Sequence, residues 1–152
     1  MAKLSQFKRN TKAFTEGTWK RPDPGSDLEI LSRGYTDTYY DAQASKQRAA
    51  AKGFNGDTEK LPVAVKRRIN IDCLISHVLL DVRGLEDEDG KPVSFATYCE
   101  LIRDPEYTDL ANAAFSAASM VTNEREADLA DTEGNSSTVS AGISNGASTI
   151  TS

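Results

Sequence analysis

Histidine occurs once, as His77, and cysteine twice, as Cys73 and Cys99, in a chain of 152 residues. That scarcity removes most of the chemistry a small protein can carry. Zinc needs three or four ligands, and Cys73 with His77, at i,i+4 on a helical segment, supplies two with nothing to complete the set. The same pair is a poor nucleophile and base, since no oxyanion device accompanies it. Two cysteines in apolar positions read as buried free thiols of a reducing compartment, not as a disulfide framework. Glycine-rich phosphate loops between a strand and a helix are missing. So is any apolar run near the roughly 20 residues that span a bilayer. The basic start MAKLSQFKRNTKAF lacks the apolar stretch of a secretory signal. Catalytic residues, metal and cofactors are therefore all expected to be none, and the chain to be no enzyme. Membrane partners are not expected either.

The net charge is -5, and it is unevenly spread. Residues 1–68 hold 14 Lys and Arg against 8 Asp and Glu, a balance of +6; residues 69–152 hold 4 against 15, a balance of -11. Such polarity admits head-to-tail self-association or a partner of opposite polarity, and it equally serves plain solubility. Lys46, Arg48, Lys52 and the run Lys66-Arg67-Arg68 offer a basic patch. A nucleic-acid binder usually has net basic character and interleaved aromatics, whereas this chain has a pI near 4.9, so nucleic acid is disfavoured as a partner.

Residues 1–16 read as a basic N-terminal arm, 17–131 as a helical domain with an N-terminal β-hairpin, and 132–152 as a low-complexity flexible tail. The end of that tail, NSSTVSAGISNGASTITS, has no charge and no aromatic residue. Such composition cannot offset the entropy of ordering. Strands near 18–21 and 27–33 flank the turn Pro22, Pro24 and Gly25. Thr36 or Asp37 caps a helix ending at Gly53. The organising element is LPVAVKRRINIDCLISHVLLDVRG, Leu61 to Gly84, read as one long central helix. Val65, Ile69, Cys73 and Leu80 line one side, and Ile71, Leu74, Ile75, Val78, Leu79 and Val82 widen the stripe. Gly84 stands where a left-handed helix end belongs. The acidic turn Glu86–Gly90 lacks the ligands a calcium loop needs at Leu85 and Ala96. Ser94 caps a helix over Phe95–Arg103, and Asp104-Pro105 opens another. Asn123–Glu133 reads as its fraying end. The fold class is mainly α (α+β): a small N-terminal β-hairpin packed on a bundle of about four helices, with a disordered C-terminal tail.

The block HVLLDVRGLEDEDGKPVSFATYCELIRDPEY, His77–Tyr107, resembles a pattern of tail assembly chaperones of long-tailed, siphovirus-like bacteriophages. A hydrophobic segment ends at Val82, Gly84 and Leu85. A turn follows with Asp87 or Asp89, Gly90, Pro92 and Phe95, and a short helix closes on Leu101, Ile102, Asp104 and Pro105. The piece Leu28–Gln43, with Arg33 and Thr36 in place, is similar to the strand-to-helix opening of the same family. Val82 departs from it, standing where many members have Trp. The resemblance implies a non-enzymatic protein of the host cytoplasm. It would bind helical segments of the phage tape-measure protein, meet the tail tube protein, and be absent from the finished particle. An amphipathic groove beside the central helix is the expected binding surface, formed by Leu79, Val82, Phe95 and Tyr98; the same four residues could instead be the domain's own core. Two other readings stay open: a structural component of the phage neck or tail retained in the virion, and a DNA-contacting accessory protein using Lys46–Arg68.

Overall fold

A computed structural model describes residues 1–7 and 15–137, with side chains over 1–5 and 15–128. Residues 8–14 of the expected basic arm and 138–152 of the expected flexible tail lie outside the described residues. The described residues divide into two compact units, one over residues 15–122 and a second formed by residues 1–7 and 123–137. In the second unit a 3-10 turn covers Leu4–Phe7.

The larger unit opens with strands β1 (Thr18–Lys20) and β2 (Glu29–Ser32), joined through a turn in which the Gly25 N–H donates to Asp23 Oδ1 at 2.9 Å. They pair antiparallel, Trp19 opposite Leu31. Helix α1 (Asp37–Ala50) follows, its N-cap Thr36 accepting from the Tyr39 N–H. It passes into a 3-10 turn, Ala51–Phe54, and stops on left-handed Asn55 and Gly56, not at Gly53. Helix α2 (Val63–His77) comes next.

Here the structure departs from the long central helix. After His77 the chain extends into a third strand, β3 (Leu79–Arg83), which pairs antiparallel with β2 and makes β2 the middle of the sheet. The Val78 carbonyl accepts from the Arg33 N–H at 2.9 Å, so the first residue past the helix is already tied to the β2 side. The physical reason lies in the pairing. A two-stranded hairpin is marginal in water, and the apolar run Val78-Leu79-Leu80 with β-branched Val82 suits a strand once β2 offers an edge.

A register shift at Leu80 shapes the strand further. Ile30 faces Val82 and Leu31 faces Asp81, but Ser32 faces Leu79. In a regular strand Leu79 and Val82 would point to opposite faces; one extra residue turns both inward, where they are 5% and 7% exposed. The outer face carries an exposed pair, Arg83 to Glu29 at 3.0 Å, with the Arg83 guanidinium 3.9 Å above the Trp19 ring. The hydrogen bond from Arg83 holds the Glu29 carboxyl below its ordinary range.

Beyond β3, the acidic segment is a turn organised by Asp87. Its Oδ1 accepts from the Asp89 and Lys91 N–H groups, both at 2.9 Å. Helix α3 (Phe95–Ile102) starts at Ser94, whose Oγ accepts from the Thr97 N–H. A 3-10 turn, Pro105–Tyr107, then leads to helix α4 (Thr108–Ser137). This helix runs through the stretch read as a fraying end and past residue 132, where the flexible tail was expected to begin. Alternating charges and alanine over 123–131 make that segment a competent helix former.

The core gathers Ile30 from the sheet, Cys73, Leu74 and Val78 from α2 and its end, and Tyr98 and Ile102 from α3. Ala111, Ala114, Ala117 and Ala118 form the small, fully packed face of α4. Among the described residues the architecture is thus a three-stranded antiparallel sheet with four α-helices, which agrees with a mainly α (α+β) class carrying an N-terminal hairpin.

Candidate functional site

Three of the four residues expected to form a binding groove are core residues. Tyr98 is 0% exposed, and its hydroxyl donates to the Leu110 carbonyl at 3.0 Å. Leu79 and Val82 face inward on β3, and Phe95 is half-buried against the same core. All four belong to, or pack against, the one hydrophobic core. Burial pushes the Tyr98 phenol above its ordinary range and raises both cysteine thiols, so Cys73 and Cys99 are held as neutral thiols. Both are free and buried.

A recess lined by none of the four expected residues lies among the described residues. A groove of about 520 Å³ runs between the start of α2, the end of α3 and the start of α4. Ile71, Ile102 and Ala111 make its floor, all at most 4% exposed, while Val63 stands at its mouth 79% exposed. Arg67, Arg68 and Arg103 border it, together with Asp104, Pro105 and Thr108.

Local structure explains each position. Positions 63, 64, 67, 68 and 71 fall at helical spacing, so α2 turns one stripe towards the groove. Arg103 is the C-cap of α3, and its Nε lies 3.1 Å from Asp72 Oδ1. Asp104 is occupied as the cap of the following turn, accepting from the Glu106 N–H at 3.0 Å. Among the described residues Arg67 reaches the neutral hydroxyl of Thr108, at 3.5 Å. The groove is therefore apolar below and positive at the edge.

Of the basic patch, Lys46, Arg48, Lys52, Arg67 and Arg68 are exposed and Lys66 is half-buried. The reading of Lys66-Arg67-Arg68 as one run was too coarse: two of the three belong to the groove edge. His77 is half-buried at the last position of α2. Among the described residues no group of three His, Cys, Asp or Glu side chains could hold a metal ion, and no helix is long and apolar enough to cross a membrane.

Fold and groove together define a small α+β domain with a helix-lined, basic-edged recess. The family model described as YdaY prophage protein matches residues 34–135, two thirds of the chain, so the protein belongs to that family and is phage-derived. The matched region holds the whole groove and all of His77–Tyr107. No curated protein and no solved structure matches the chain.

Proposed function

We propose that this phage-derived protein is a tail assembly chaperone, which binds the tape-measure protein and keeps it soluble in the host cytoplasm while the tail tube assembles. The observation that carries the reading is the groove: an apolar trough between helices, of a volume inside the roughly 300–1,000 Å³ typical of ligand clefts, in a domain of phage origin. Troughs of this kind receive the apolar face of an amphipathic helix. A long helical chain with an unpartnered apolar stripe aggregates, and a protein that binds its soluble form shifts that balance by mass action.

The resemblance at His77–Tyr107 supports the same reading through what those residues do. Gly84 lets β3 pass close to Asp27, Asp87 organises the turn, and Asp104 caps the step into α4. The motif thus describes joints of this domain, and its end, Ile102 to Pro105, lines the groove.

Co-expression with the long helical protein encoded just downstream tests the proposal. The partner is expected to move from the pellet to the soluble fraction and to co-purify with this protein. If it stays insoluble while this protein sediments with finished particles, the chaperone reading is lost and a retained neck or tail component replaces it.

A further inference from the structure

We propose that the groove accepts one face of an acidic amphipathic helix from the tape-measure protein, with aliphatic side chains on the floor and carboxylates against Arg67 and Arg68. This rests on the chaperone reading above and specifies the chemistry of its partner. Charge complementarity over an apolar floor selects the occupant.

The edge charges are not equally available. Arg103 is already paired with Asp72, and Asp104 Oδ1 accepts from the backbone of the next turn. Arg68 makes no ion pair among the described residues, and Arg67 meets only a hydroxyl. The positive charge left over is therefore concentrated on the α2 side. The first turn of α2 adds to it: it contains no acidic residue, and Pro62 at the capping position supplies no side-chain acceptor. A docked helix shields this edge from water. Neutral or basic flanks would leave desolvated guanidinium groups unpaired, which is costly, whereas carboxylates would take charge-assisted, two-pronged hydrogen bonds from them. Val63, with 79% of its surface exposed at the mouth, gains cover from the same contact.

The test uses full-length protein with two exposed-site variants, Ala64→Trp to fill the trough and the double change Arg67→Glu, Arg68→Glu to reverse its edge. Both are checked for unchanged thermal melting, then probed against overlapping peptides spanning the tape-measure protein and in the co-expression experiment. Wild-type protein is expected to capture net-acidic peptides with helical apolar spacing, and to release them as salt rises. Each variant should bind them at least about tenfold more weakly. Capture of net-basic peptides, or full binding by both variants, overturns the groove assignment; if the variants still solubilise the whole tape-measure protein, the chaperone reading survives it. Failure of the wild type to solubilise that protein removes both. If instead the protein alone self-associates and Ala64→Trp makes it monomeric, the groove belongs to a second copy and the proposal is overturned.

Discussion

Gly84 has a φ of +76°, and a Cβ at that position would overlap the Asp27 carbonyl oxygen. Two separate penalties therefore meet at one residue. Left-handed backbone costs an L-residue about 1–2 kcal/mol, and the overlap adds displacement of the chain leading into β2. Gly90 has a φ of +80° with nothing within 4 Å of the same virtual atom, so only the first penalty applies. Gly84→Ala is expected to lower unfolding free energy by about 2 kcal/mol or more, and Gly90→Ala by about 1 kcal/mol, in urea titrations followed by circular dichroism. Equal effects at the two sites would contradict the close approach at Asp27. The glycine at position 84 was legible as a special residue from the sequence, but as the end of a helix; the cause is a neighbouring chain that no local pattern announces.

Among the elements, caps and turns were the most readable. Ser94 caps its helix as expected, and of the two candidates Thr36 and Asp37 it is Thr36 that caps α1, because capping depends on a few adjacent backbone groups. The hairpin strands were also found close to their expected bounds. Strand β3 was not, for a physical reason. Val78, Leu79 and Val82 satisfy a helical stripe as well as a bulged strand, and the choice is made by β2, some 50 residues earlier in the chain. The groove was missed in the same way. Its α2 stripe is visible at 63, 64, 67, 68 and 71, but Ile102 and Ala111 join it only through the fold. The correction changes what a mutation reports. Leu79→Asp would have blocked a binding groove; on an inward strand position it buries a carboxylate in the core, a change costing several kcal/mol. It is expected to abolish the thermal transition, whereas Ala64→Trp on the open face of α2 should keep it.

For the molecule as a whole, polarity is its most general property. Arg67 and Arg68 of the groove edge fall in the basic half, +6 over residues 1–68, while the acidic half holds the Asp87 turn and the exposed carboxylates Glu124, Glu126 and Asp128 of α4. Association driven by such charges weakens as the screening length falls, to about 8 Å near physiological ionic strength. The proposed binding of a tape-measure helix is thus expected to lose affinity steadily between about 50 and 500 mM salt, read by calorimetry, if edge charges contribute and not the apolar floor alone (about a tenfold loss marks the electrostatic share).

The place of β3 in the sheet also sets a timetable for synthesis. Its partner β2 leaves the ribosome with β1 long before residues 79–83 exist, because α1 and α2 lie between them. Until then the two N-terminal strands have only each other, a pairing that water nearly dissolves. The nascent chain must therefore hold its first β-structure in waiting while two helices form behind it, and the sheet closes in one late step.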